Sequence, residues 1–235
     1  MQSNSEHQLV YKRSGQKVFA GIRLMLDFWL SRWKSGQTGW HEADGNTALQ
    51  KFWPPMPRGS RVLVPLCGKS PDLHWLAGQG CDVTGVELSE IAARDFFDEA
   101  GLLFEVETSE GFSLFRCPEA NITIVCGNYF EFSDLPFDAL YDRASLVALP
   151  PKLRPVYIEH TKSLLKPDAQ QLLVTLEYDQ SKAEGPPFSV MPDEVKAYWP
   201  GLRCVDAHED ISNSPPKFRD AGITTLIEAV WVTSK

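Results

Sequence analysis

The sequence predicts an α/β fold with a mainly parallel sheet, an antiparallel edge and helices on both faces. Three observations predict it. Short β-branched runs alternate with helical patterns from residue 61 onward. The chain finishes in two strand-like runs with no helix between them, which suits an antiparallel edge. Its 235 residues, 43% of them hydrophobic, suffice for one sizeable core in a single domain.

Taken in order, residues 1–20 are polar and unpatterned and are expected to form a loose arm. "MLDFWLSRWK", Met25–Lys34, places Leu26, Trp29, Leu30 and Trp33 at helical spacing, so one helix face is strongly aromatic. Gly36 and Gly39 end it, leaving "GQTGWH" as a loop that carries Trp40 and His41. A second helix over Asn46–Trp53 stops at Pro54 and Pro55. "RVLVPL" then reads as a buried strand, and Ser70 with Pro71 opens a helix ending at Gly78. "DVTGVEL" is the next strand, followed by the helix "SEIAARDFFDEA", which Gly101 closes. Two strands flank a turn at Pro118–Asn121, then come the strand "FDALYDR", a helix over Lys152–Leu165 and the strand "QQLLVTLEY". A short helix near Asp193–Trp199 precedes the last runs, "LRCVDAHEDI" and "GITTLIEAVWVT".

The bulk chemistry narrows the partners. Lys and Arg number 23 against 31 Asp and Glu, a net charge of −8, which argues against nucleic acid and anionic membranes. The five cysteines, Cys67, Cys81, Cys117, Cys126 and Cys204, form no C-x-x-C pair, and with the scattered histidines they give no metal-site spacing. Reduced thiols in a cytoplasm are the simplest account. Lys12, Arg13 and Lys17 precede an apolar run, but Arg23 and Asp27 interrupt it and no small-residue cleavage site follows, so a signal peptide is not expected. No stretch approaches the ~20 apolar residues of a membrane span.

"RVLVPLCGKS" ends like a phosphate-binding loop. The full motif needs a glycine five residues before the second one, and Leu63 stands there instead. Pro71 also removes an N–H from the helix start, and the dinucleotide pattern G-x-G-x-x-G is missing. A triphosphate site is therefore set aside. What remains is strand, tight turn, helix, strand, and then Glu87, nineteen residues after Gly68. A carboxylate at the end of the second strand is placed to accept hydrogen bonds from both hydroxyls of a ribose. A single glycine in the turn suits a nucleoside without phosphates, such as S-adenosylmethionine. An ordinary strand-end charge fits the same spacing.

Several segments occur in a fixed order: "FWLSRWKSGQTGWH", "VLVPLCGKSPDLHWLAGQGCDVTGVELSE", "YDRASLVALPP" and "GPPF". Together they resemble the thiopurine S-methyltransferase family, from about Met25 to the C-terminus. The resemblance implies a seven-stranded class I methyltransferase (Rossmann-like) fold that uses S-adenosylmethionine, releases S-adenosylhomocysteine and methylates sulfur. Carried over by position, the cofactor residues are Trp33, Leu66, Glu87 and Arg143, with Asn128 and Tyr129 beside the adenine. Trp40 stands where the family more often has phenylalanine, next to the acceptor. Lys217 or Arg219 corresponds to a basic residue near the substrate, and Arg143 is the catalytic candidate, holding an anionic acceptor. Residues 1–24 have no counterpart and are expected to be an arm or extension. Residues 25–235 then form one domain, with 25–55 as a helical lid. A cytoplasmic monomer acting on a small thiol is implied, with no nucleic acid, membrane or metal. Cys67, Lys69 and His41 are read as structural. Two alternatives stay open: a methyltransferase for selenium or tellurium compounds, and a non-catalytic module that only binds S-adenosylmethionine.

Overall fold

A computed structural model of the chain describes residues 20–39 and 41–234. The first helix, α1, spans 20–34. It is already helical five residues before the expected start at Met25, so 20–24 belong to it and not to an arm. The reason is packing: Ile22 is buried, and a Cβ on Gly21 would lie 3.3 Å from the Leu153 side chain. Residues 1–19, the rest of the expected arm, lie outside the described residues.

The order then runs α2 (Thr47–Phe52), β1 (Arg61–Pro65), α3 (Asp72–Gly78), β2 (Asp82–Glu87), α4 (Glu90–Glu99), β3 (Glu105–Ser109), β4 (Phe112–Cys117) and β5 (Ile122–Cys126). The second half comprises β6 (Phe137–Arg143), α5 (Arg154–Ser163), β7 (Leu165–Glu177), α6 (Pro192–Tyr198), β8 (Leu202–Glu209), α7 (Pro216–Asp220) and β9 (Ile227–Thr233). The strands form one sheet in the order β3-β4-β5-β2-β1-β6-β7-β9-β8. The five central strands are parallel, and both edges are antiparallel.

Among the described residues the sheet thus has nine strands, not seven. The extra pair is the hairpin β3–β4. β3 reads EVETS and all five of its residues are exposed, so no buried face left an alternating apolar signal. A short α7 also separates the last two strands, where no helix was expected.

Alternate residues of β1 face opposite layers: Leu63 joins one buried cluster with α1, α5 and α6, while Val62 and Val64 join another with α2, α3 and α4. The chain winds from β1 outward to β5, then returns to β6 on the other side of β1. That reversal opens a crevice past the carboxyl ends of β1 and β6, the place where open α/β sheets bind ligands. Among the described residues no helix is long and apolar enough to cross a membrane.

Candidate active site

The turn after β1 sets the first wall of this crevice. Leu66 and Gly68 both take left-handed φ values, +46° and +55°. Glycine adopts this region freely, whereas leucine does so under strain. A Cβ on Gly68 would come within 3.3 Å of the Trp33 ring, so the bare turn lets the α1 indole rest on it. The Gly68 N–H donates to Glu87 Oε2 at 2.8 Å, and the Ser89 N–H donates to Oε1 at 2.9 Å. Burial pushes the Glu87 carboxyl up, and these backbone N–H groups pull it partly back. Each oxygen keeps a lone pair beyond the one it uses. Burial first, and then the charge of Glu87, pushes the Cys67 and Cys126 thiols up, which keeps both protonated and poorly nucleophilic.

Arg143 ends β6 and forms an ion pair with Glu42, from the loop after α1. That loop is pinned from behind. Asp72 Oδ1 accepts the Asn46 N–H at 2.7 Å, and the Tyr141 hydroxyl donates to Asp72 Oδ2 at 2.8 Å. Gly45, at φ +74°, permits the approach, since a Cβ there would lie 2.8 Å from Asp72 Oδ1. Asn46 then caps α2 by accepting the Ala48 N–H at 3.0 Å. Burial raises the Glu42 carboxyl, and Arg143 opposes that rise.

Trp33, Glu42, Leu66, Gly68, Glu87 and Arg143 border one cavity of about 490 Å³. Met25, Trp29 and Trp33 of α1 line it on one side, and Leu66, Gly68 and Glu87 at one end. Toward the β7–β9–β8 side of the sheet the lining includes Leu176 of β7, Glu228 of β9 and Leu226 just before it, with Asp210, Pro215 and Lys217. Arg143 borders the same cavity. Burial, then Glu42 and Asp210, raise the Glu228 carboxyl, while Arg143 and His208 lower it. Lys217 Nζ donates to the Pro186 carbonyl and, at 3.4 Å, to that of Glu184; burial and Arg32 lower its pKa.

Of the residues singled out in the sequence, Trp33, Leu66, Glu87, Arg143 and Lys217 line this cavity together. Asn128 and Tyr129 are not in its wall. Asn128 caps a short helical turn by accepting the Phe130 N–H at 3.2 Å. The Tyr129 hydroxyl is buried 2.8 Å from that of Thr161. Arg219 is also outside: its Nη1 donates to the carbonyls of Ile211, Ser212 and Ser214 at 2.7, 3.3 and 3.0 Å, holding the loop before α7. Trp40 lies outside the described residues. Sequence reasoning passed over Glu42, Asp210 and Glu228. For Glu228 a signal existed, since it is the single charge within the apolar run "LIEAVWV".

A sequence model of the family described as Thiopurine S-methyltransferase matches residues 24–235. A thiopurine S-methyltransferase of Pseudomonas syringae pv. tomato is 43% identical over 217 residues, covering 89% of this chain and 97% of the relative. One from Xanthomonas campestris pv. campestris is 45% identical over 212 residues, covering 87% and 96%. Among solved structures, a Burkholderia thailandensis 1,6-didemethyltoxoflavin-N1-methyltransferase with bound 1,6-didemethyltoxoflavin and S-adenosylhomocysteine superposes with a TM-score of 0.59 at 19% identity. The match covers 92% of this chain and 89% of that one.

Proposed function

Because the chain belongs to the thiopurine S-methyltransferase family and is an S-adenosylmethionine-dependent S-methyltransferase, we propose that its cavity holds the cofactor at the Glu87 end and a small aromatic thiol at the Glu228 end. The observation that carries this division is the Glu87 carboxylate. It is 5% exposed, fixed by two backbone N–H groups, and still has acceptor capacity at the cavity wall. Two neighbouring ribose hydroxyls fit such a group, and the Leu66–Gly68 turn with Trp33 above it fits an adenosine without phosphates.

When bound, S-adenosylmethionine supplies a methyl group that a sulfur nucleophile takes by in-line displacement. Glu87 would hold the sugar, and Trp33 and Leu66 would bracket the cofactor. Met25 and Trp29 exclude water from the acceptor side. The clasp of Arg143 and Glu42 fixes the border between the two halves. Aromatic thiols ionise near neutral pH, and the thiolate is the reactive form. The protein's main contribution is then alignment, an effect that can supply ~7–11 kcal/mol. A cytoplasmic location fits the five free thiols, four of them buried.

The test is incubation with methyl-labelled S-adenosylmethionine and a panel of 6-mercaptopurine, thiophenol, selenite and tellurite. Label is expected in the thioethers. In parallel, Glu87→Ala is expected to weaken calorimetric affinity for S-adenosylhomocysteine at least tenfold, about 1.4 kcal/mol. No label in any thioether would end the acceptor reading, and unchanged affinity would remove Glu87 from the cofactor site.

A further inference from the structure

A closed ring of side chains holds the ion pair of Arg143 and Glu42 from behind the cavity wall. Arg143 and Tyr141 lie two apart on β6, so both side chains leave the same face of that strand. The Tyr141 hydroxyl donates to Asp72 Oδ2 at 2.8 Å, and Asp72 Oδ1 accepts the Asn46 N–H at 2.7 Å. Asn46 Nδ2 donates to Glu42 Oε2 at 3.4 Å, and Glu42 Oε1 meets Arg143. The ring starts and ends on β6. Glu42, Asp72, Tyr141 and Arg143 also line a hollow of about 30 Å³ together with Trp33 and Gly68, so the ring abuts the Glu87 end of the main cavity.

Asp72 is the member placed to control the rest. It opens α3, just after the turn that follows β1, and its N–H donates to Ser70 Oγ at 3.3 Å. It is 3% exposed and lies outside the wall of the main cavity. Each carboxylate oxygen is used by another element, one by the loop between α1 and α2 and one by β6. Burial, then the Asp72 charge, pushes the Tyr141 hydroxyl up, which keeps it protonated and donating. A buried carboxylate is costly without such donors, so both bonds are held. Asp72 therefore reaches Arg143 by two routes: along the β6 backbone from Tyr141, and through Asn46 and Glu42 to the guanidinium.

Resting on the reading of this ion pair as the border between the cofactor and acceptor halves, we infer that Asp72 is a positioning residue for methyl transfer. It touches neither reactant and fixes where the Arg143 guanidinium stands, and with it the approach of the nucleophile to the methyl group. In-line displacement is sensitive to such placement, since a shift of ~1 Å can cost about a hundredfold in rate. Turnover then depends on a side chain outside the cavity, while cofactor affinity does not.

The experiment compares wild type, Asp72→Asn, Tyr141→Phe, Glu42→Ala and the double variant Asp72→Asn with Glu42→Ala. It reads kcat and KM for 6-mercaptopurine, calorimetric Kd for S-adenosylhomocysteine, and thermal melts that set an assay temperature at which the variants are folded. Asp72→Asn keeps the size of the side chain but gives up one of its two acceptor oxygens. It and Tyr141→Phe should each lower kcat about fivefold or more, with S-adenosylhomocysteine Kd within about threefold of wild type. The double variant should be no slower than Glu42→Ala, because the losses of residues that act as one unit do not add. Tyr141→Phe, alone and with Glu42→Ala, carries the same comparison should Asp72→Asn not fold. An unchanged kcat in the folded single variants overturns the inference. So do losses that multiply in the double variant, which would make Asp72 a support independent of the clasp. So does a weakened Kd at unchanged kcat, which would tie Asp72 to the turn after β1 alone. No transfer by wild type to 6-mercaptopurine or thiophenol overturns the parent reading together with this one.

Discussion

A carboxyl buried in a cavity wall binds its proton more tightly in the folded chain than in the unfolded one. Glu42, Glu87 and Glu228 all titrate above the ordinary value of 4.5, in each case chiefly through burial. Between 4.5 and those raised values the folded chain holds more protons than the unfolded chain. The unfolding free energy therefore falls as pH rises through that window. The stabilising share is complete below 4.5 and is lost as each group ionises. Glu228→Gln should melt higher than wild type, with a larger gain at pH ~7 than at pH ~4. Thermal melts at both values check this; a larger gain on the acid side would mean that burial does not dominate there. Residues differed in how well they could be read. Glu87 was legible because its spacing from the first turn is local. Glu228 was marked only as a lone charge in an apolar run; its place in the cavity wall depends on where the start of β9 lies against the end of β7. Lys217 and Arg219 look alike in sequence, yet one lines the cavity and the other ties a loop.

The turn between β1 and α3 carries the next prediction. Gly68 needs its left-handed φ and its missing Cβ at once, since Trp33 stands 3.3 Å from where that atom would be. Gly68→Ala should cost about 1–2 kcal/mol of stability. It should also weaken S-adenosylhomocysteine binding, because the indole must give way. Denaturant midpoints and calorimetry read the two effects, and an alanine variant equal to wild type in both would mean that neither the turn nor the indole is constrained. Buried elements were legible: α1 and α4 by one apolar face each, and β1 and β2 as β-branched runs buried on both faces. β3 was not, because a strand with both faces in water carries no period. α7, five residues long and opened by Pro216, was too short to leave one.

At the scale of the whole molecule, the half of the sheet on the Glu228 side of the cavity is braced by a buried cation. Arg154 is 0% exposed; it donates to Glu194 at 2.7 Å, to the Ser189 carbonyl at 2.9 Å and to the Leu149 carbonyl at 3.1 Å. It thereby joins α5 to α6 and to the segment ahead of α6. Removing one partner of a buried pair typically costs ~3–5 kcal/mol, and Glu194 is partly solvated, so Arg154→Leu should lose about 3 kcal/mol. A variant that unfolds at the wild-type denaturant midpoint would refute the bracing role. In sequence, Arg154 is one more basic residue in a helix, since only the assembled fold takes it out of water. The two margins of the sheet have a different consequence. β3 presents Glu105 and Glu107 on a fully exposed strand, and β8 carries charged residues with a register shift between Cys204 and Asp206. Acid side chains and a kinked ladder are poor templates for another chain's backbone, so this nine-stranded surface resists fibril-like growth from either side.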